Sequence, residues 1–378
     1  MDKITKGHNR RSWAKAAVGG KGRGAPAGPA QRRAIIKRLV PIGLMGLCVL
    51  LLACSNAALD SASEALELWW SRVLPALYPF FVLTSWMHRW GLLSMLQKRL
   101  RSPFGACFLF GAISGYPSGA RVCGMLGRRE YAAYCNLCSP MFLSGVVAVG
   151  MCGNGSLFVP LALAHYGSAL ILYSLEKNSI PPVPVQAETS APASPPVLGS
   201  MLEDVASGMQ AMLNIGGCIM IFYVPINTLL TAFLDKKLPI ATTLLVGMAE
   251  LTSGCRHAVE LGLPTQLTMG LLAFFLTFGG LCVFGQTMLV TDILSPGEYL
   301  MKKAAQGFLA AILAYLLTPL LVPSAVAALN NSAQAYGQNA LMGLAFIISA
   351  CVGLTACYLM ALILRRPRAS DASRHGRA

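Results

Sequence analysis

"GAISGYPSGARVCG", residues 111–124, decides how this chain folds. It begins as an apolar helix would, sets Gly115, Pro117 and Gly119 in close succession, and then reaches Arg121. Glycine weakens a helix through its backbone freedom; proline lacks an N–H and disfavours helix in the residue before it. A helix breaks here, with a charge beside the break. What the break means depends on the solvent around it.

Composition names that solvent. Of 378 residues, 55% are hydrophobic and 12% charged, and the mean hydropathy is +0.59. Soluble domains carry about 25% charged residues, so the chain lacks the polar surface of a water-soluble globule. The fold class expected is an all-α polytopic membrane protein.

The net charge of +15 sits almost wholly in two tails. Residues 1–38 hold eleven Lys and Arg against Asp2, residues 365–378 hold five Arg against Asp371, and residues 39–364 carry only +1. Basic residues flanking apolar spans mark the cytoplasmic side, where anionic lipid headgroups attract them. Both termini are therefore expected inside the cell membrane, with lipid as the partner and no nucleic acid. The twelve cysteines are scattered through apolar runs, and Cys135–Cys138 is a CxxC without a second pair, so no metal or cofactor is expected. "LLACS" at 51–55 resembles a lipoprotein cleavage box. The long basic region before it and the multi-span body after it favour a retained first helix.

A bilayer core of about 30 Å asks for about 20 apolar residues per helix. Ten segments qualify: 39–59, 66–87, 103–126, 131–152, 156–175, 205–233, 238–257, 263–291, 303–323 and 340–364. Between the fifth and sixth lies a stretch with six prolines and no apolar periodicity, which reads as a linker. The organisation expected is a basic tail (1–38), a first transmembrane helix (39–65), a first half (66–175), a cytoplasmic linker (176–204), a second half (205–325), a last helix (326–364) and a basic tail (365–378).

The halves resemble each other in order. "VLPALYPFF" (73–81) is answered by "MLNIGGCIM" (212–220), Ser114-Gly115 by Ser253-Gly254, and Ser139-Pro140 with Gly145 by Gly279-Gly280 with Gly285. Paired interruptions in two halves are a signature of transporter-like inverted repeats. Loop charges set the orientation. "HRWGLLSMLQKRLR" (88–101) holds four Lys and Arg and no acid, and Arg121, Arg128 and Arg129 remain on the same side only if 103–126 turns back on itself. Segment 238–257, ending in "ELTSG", is its counterpart, and Lys302 and Lys303 mark the next cytoplasmic end. The result is eight transmembrane helices, two re-entrant hairpins and an inverted repeat. Asp235, Lys236 and Lys237, which fall outside, fit this scheme less well.

Irregular backbone at membrane depth survives only where protein or a water-filled cavity surrounds it. The two tips are therefore expected to face one another, offering a ligand the groups of Gly115, Tyr116, Pro117, Gly119, Arg121, Glu250, Thr252 and Gly254. The alternative is a pair of tight loops at the membrane surface. Glu250 stands deep in an apolar run, where a carboxylate costs at least about 2.5 kcal/mol unless paired or hydrated. Arg121 is one partner for it and a coupling proton another; an interfacial helix end is the bland alternative. His165, Asn136, Asn214, Asn227 and Gln286 serve either a polar cavity or ordinary interhelical bonds. Trp69, Trp70, Trp86 and Trp90 read as interfacial belt residues. No nucleophile–base pair or phosphate-binding loop is present, which disfavours an enzyme.

"ALELWWSRVLPALYPFFVL", "SGYPSGAR", "NLCSPMFLSGVVAVG", "LALAHYG", "ELTSG" and "GGLCVFGQ" together resemble the sporulation integral membrane proteins of the YlbJ type. That group carries the nucleoside-recognition gate domain, and the resemblance covers roughly residues 40–325. It implies a membrane protein needed for endospore formation, with transport presumed. The matched positions are Gly115, Tyr116, Pro117, Gly119, Ala120, Ser139, Pro140, Glu250 and Gly254, with Arg121 where a basic residue is expected. Ser139 thereby joins the candidate site. The basic N-terminal tail and the Pro-rich linker lie outside the pattern.

The function expected is a transporter or gate-domain permease moving a small polar solute, nucleoside-like if the gate name is a guide. A non-transporting membrane scaffold or assembly factor in sporulation is the alternative. A homo-oligomer is compatible with either.

Overall fold

The computed structural model describes residues 29–180, 198–233, 240–293 and 295–323. Among these every regular element is helical and no strand occurs. The tails up to residue 28 and from residue 365, most of the linker (181–197), the 235–237 charges and segment 340–364 lie outside the described residues. The chain divides into two units, Met1–Leu50 and Leu51–Ala378.

The first unit holds most of α1 (Pro29–Ala53), whose Ile42, Leu44 and Met45 are exposed, as lipid-facing side chains are. In the second unit α2 (Ser55–Leu68), a π-helical turn (Trp69–Val73) and α3 (Leu74–Arg89) follow one another without a loop. α1 therefore ends at Ala53, and Asp60 and Glu64 lie on α2. α4 (Leu92–Leu100) comes next, and across the linker α9 (Leu198–Phe233) is the longest helix.

α2–α3 runs antiparallel to α9. Tyr223 Oη donates to Glu64 Oε2 (2.9 Å), Trp69 Nε1 to the Met212 carbonyl (3.0 Å) and Tyr78 Oη to the Val205 carbonyl (3.2 Å). Trp86 Nε1 donates to the Met201 carbonyl (3.3 Å), and Arg89 makes a two-pronged contact with Asp204 (2.5 and 3.0 Å). From Glu64 to Trp86 one residue number rises as its partner's falls. Trp69 is thus a buried core residue rather than part of an interfacial belt, because its indole N–H has a backbone acceptor within the protein.

Residues 103–126 form a helical hairpin of α5 (Pro103–Ser114) and α6 (Ser118–Met125). Ser102 starts it by accepting the Gly105 N–H at 3.0 Å. Twelve residues of α5 rise only about 18 Å, short of the bilayer core. The arms close through Gly111 and Gly119: a Cβ on either would collide with the Cys135 carbonyl. Residues 240–260 repeat the device with α10 (Ile240–Ala249) and α11 (Leu251–Glu260), where Gly247 and Gly254 touch and Phe275 lies against them. The second break falls at Glu250, so Ser253-Gly254 is not the interruption it resembled. Gly254 answers Gly119 instead.

Each hairpin is followed by a broken helix. α7 (Ala132–Cys135) gives way to extended chain at 136–139 and then to the π-helical segment Phe142–Met151. α12 (Thr265–Phe278) meets α13 (Gly280–Val290) at Gly279 and Gly280, whose φ of 83° and 72° suit glycine. Each half closes with a helix, α8 (Phe158–Glu176) and α14 (Pro296–Leu321). These are antiparallel, Glu176 lying beside Lys302 and Gly167 beside Leu313. Of the segments resembling one another in sequence, 73–81 runs from the end of the π-helical turn into α3 and 212–220 lies within α9, and the helical path is continuous through both.

Among the described residues, four helical stretches are long and apolar enough to cross a membrane: Gly155–Ser179, Leu198–Phe233, Thr265–Val290 and Pro296–Leu321. Val40–Ala53 taken with Ser55–Arg89 is a fifth candidate. Thr265–Val290 is the innermost, with 83% of its apolar window buried.

The glycine contacts set a stability test. Gly119→Ala pushes a methyl against the Cys135 carbonyl, whereas Gly217, on α9, has open space around its Cα. Overpacking costs about 1–3 kcal/mol, so thermal unfolding in detergent should fall by several degrees for Gly119→Ala and hold or rise for Gly217→Ala.

Candidate functional site

The four breaks meet. Gly115, with φ 79°, turns the first hairpin so tightly against the interruption at 136–139 that a Cβ on it would lie 3.0 Å from Ser139 Cβ. In the other half, a Cβ on Gly280 would come within 3.1 Å of the Ala249 carbonyl beside Glu250. Each hairpin tip therefore packs on the broken helix of its own half.

Tyr116 joins the halves. Its hydroxyl lies 2.9 Å from the Leu276 carbonyl and 3.1 Å from the Thr277 carbonyl, the acceptors freed where α12 stops. His165, on α8, ties together the two broken helices. Its Nε2 accepts the Cys138 N–H at 2.9 Å, which leaves the ring proton on Nδ1, 2.8 Å from Thr277 Oγ1. An imidazole with both nitrogens committed to backbone and hydroxyl is a structural bridge here, not a free ligand.

Asn136 is fully buried and serves the same crossing. Its Nδ2 donates to Thr287 Oγ1 and Tyr299 Oη, each at 2.9 Å, and its Oδ1 faces the Ala120 N–H at 3.4 Å. Its carbonyl, released by the end of α7, accepts from Lys303 Nζ at 3.0 Å. Lys303, expected to mark a cytoplasmic end, is 1% exposed and bonds the interior of the crossing instead. Lys302, its neighbour, turns to acids: it pairs with Glu298 at 2.9 Å and Glu176 at 3.5 Å.

Glu250 is the cap of α11. Its Oε1 accepts the Thr252 N–H at 2.9 Å and its Oε2 the Ser253 N–H at 2.7 Å, so a carboxylate stabilises a buried helix N-terminus. It is a helix-end residue, as one sequence reading had it, but only 3% exposed and so no interfacial snorkel. It does not reach Arg121. That guanidinium instead bonds α3, through the Phe81 carbonyl (3.1 Å), Thr84 (3.3 Å) and Ser85 (2.7 Å), and stacks on the Phe81 ring.

Between the breaks lies a cavity of about 90 Å³. Gly115, Tyr116, Ser139, Glu250 and Thr252 line it, with Arg72 and Gln286 among its other polar walls. These five come from three separate stretches of sequence and line one cavity. Pro117, Gly119 and Gly254 shape the hairpins, Asn136 braces the crossing behind the wall, and Arg121 borders a separate open cleft of about 360 Å³ with Arg129 and Asp292. Arg128, expected as a loop charge, is 7% exposed and pairs with Glu130 at 3.6 Å. Of the other amides, Asn227 bonds Ser253, and Asn214 bonds Gln210 on an exposed face of α9. Among the described residues no cluster of three or more His, Cys, Asp or Glu is placed to hold a metal ion. Lys303 and Thr277 were missed. A lysine read as a topological mark and a threonine in an apolar run carry no local signal of a partner across the fold.

No protein-family model matches the chain, and no solved structure matches it. The sporulation integral membrane protein YlbJ of Bacillus subtilis (strain 168) is 28% identical over 320 residues, spanning 69% of this chain and 78% of that protein. The chain is thus a homologue of a sporulation integral membrane protein of the YlbJ type.

Proposed function

We propose that this chain is a membrane permease of endospore formation that moves a small polar solute through the crossing of its broken helices. One observation carries the reading: both hairpin tips and the first broken helix give Gly115, Tyr116, Ser139, Glu250 and Thr252 to a single cavity. A scaffold has no need of such convergence. The antiparallel pairing of α2–α3 with α9, and of α8 with α14, supports two halves of opposite orientation, with eight spans, two hairpins and both termini in the cytoplasm. The cavity walls are mainly apolar, with the polar side chains of Arg72, Ser139, Glu250, Thr252 and Gln286 set among them, a lining suited to binding rather than catalysis. Sporulation enters through the relative's name.

The cavity also bears on the solute. A cavity of about 150 Å³ admits benzene, and this one measures about 90 Å³. A solute of a few heavy atoms fits the present conformation; a nucleoside enters only if the hairpins part.

Glu250→Gln is the direct test. Glutamine keeps one acceptor for the α11 N-terminus but removes the charge, so protein level should stay near normal while spore yield falls at least tenfold. Arg129→Gln, on a side chain 43% exposed and paired loosely with Asp292, should leave yield unchanged. Normal yield from Glu250→Gln at matched abundance would refute the site and leave the scaffold reading.

Orientation has its own measurement. Single cysteines placed at 177–200 should react with a membrane-impermeant thiol reagent only after cells are opened, and those at 324–339 in intact cells. Labelling of 177–200 from outside would overturn the inverted arrangement.

A further inference from the structure

Lys303 is buried among cation ligands rather than anions. Its Nζ donates to the Asn136 carbonyl at 3.0 Å and to Gln306 Oε1 at 3.1 Å, and it stands 5.3 Å from the centre of the Tyr116 ring face. A carbonyl freed by a helix break, an amide oxygen and an aromatic face are what proteins use to replace the water around a monovalent cation. Among the described residues no carboxylate pairs with this lysine, whereas Lys302 beside it has two. Glu250 bonds the start of α11 with both oxygens, while Lys303 bonds the Asn136 carbonyl and Gln306. The groups facing Nζ from other elements are the Tyr116 ring, the Cys135 and Cys138 thiols and, on α8, His165, whose nitrogens are already bonded.

We propose that the crossing of the broken helices is a monovalent-cation site and that Lys303 is its tethered occupant. The ammonium does for the Asn136 carbonyl what a bound Na⁺ or K⁺ does at a helix break in an ion-dependent protein. Because the lysine arrives with the chain, the native protein needs no dissolved cation at this point. Emptying the site should expose the need. The inference concerns how the crossing is held together, and it stands or falls independently of whether a solute is moved.

The test is chemical replacement of the missing ammonium. Lys303→Ala removes the charge and leaves room for methylammonium, which restores a cation with N–H donors; tetramethylammonium has the charge without the donors. The full chain, purified in detergent, is followed by thermal unfolding. Methylammonium should raise the midpoint of Lys303→Ala by 5 °C or more, saturably, while tetramethylammonium at equal ionic strength leaves it unchanged and neither salt moves the unsubstituted protein. If Lys303→Ala is recovered only when methylammonium is present throughout purification, the proposal is equally supported; failure to recover it folded under those conditions overturns it. Lys303→Gln separates charge from hydrogen bonding, because it supplies N–H donors without charge. A Gln variant as stable as the unsubstituted protein, or an Ala variant indifferent to methylammonium, would overturn the tethered-cation assignment.

Discussion

Unpaired backbone in an apolar medium is the constraint on which this structure rests. Each interrupted helix strands N–H and C=O groups where neither water nor lipid can bond them, and leaving one buried without a partner costs about 1–3 kcal/mol. Here partners come from other elements. Tyr116 takes the carbonyls at the end of α12, His165 the Cys138 N–H, Lys303 the Asn136 carbonyl, and Glu250 two N–H groups opening α11. Two of these bonds, from Tyr116 and from Lys303, cross between the halves, so the breaks become points of attachment although each taken alone weakens a helix.

This pairing limits how such a molecule can move. A hairpin that swung freely away would strand the Leu276 and Thr277 carbonyls and the Tyr116 hydroxyl together. Any opening must exchange those partners for water or solute as it proceeds. The glycine contacts at Gly111–Gly119 and Gly247–Gly254 keep each hairpin rigid during such an exchange, because the arms touch backbone to backbone and leave no slack. Motion is then confined to the junctions between hairpins and broken helices.

Much of this was legible in the sequence because breaks are written locally. SGYPSG announces a turn through glycine and proline, apolar runs announce helices, and the hairpin at 103–126 followed from arginines that had to remain on one side. Glu250 was conspicuous because a carboxylate in an apolar run is expensive. What stayed hidden was pairing across the fold. Ser253-Gly254 looked like the counterpart of Ser114-Gly115, yet the chain breaks at Glu250, because a carboxylate can bond the N–H groups that open a helix. Lys303 read as one half of a cytoplasmic doublet with Lys302, and nothing nearby marks Asn136, 167 residues away in sequence, as its acceptor. Trp69 looked interfacial for the same reason, its acceptor being 143 residues distant.

The Lys302–Lys303 pair has a consequence for α14. Successive residues on an α-helix point about 100° apart, and here one lysine faces Glu176 and Glu298 while the next faces the Asn136 carbonyl. Turning the helix by a single residue would carry Lys303 toward the acids and leave the interior carbonyl bare. The doublet therefore fixes the rotational phase of α14. Ala304, Ala305, Ala310, Ala311 and Ala314, small and similar in shape, would not do so by packing alone. Two adjacent charges act as a key in a smooth shaft, specifying an angle where the surrounding alanines leave the helix free to choose.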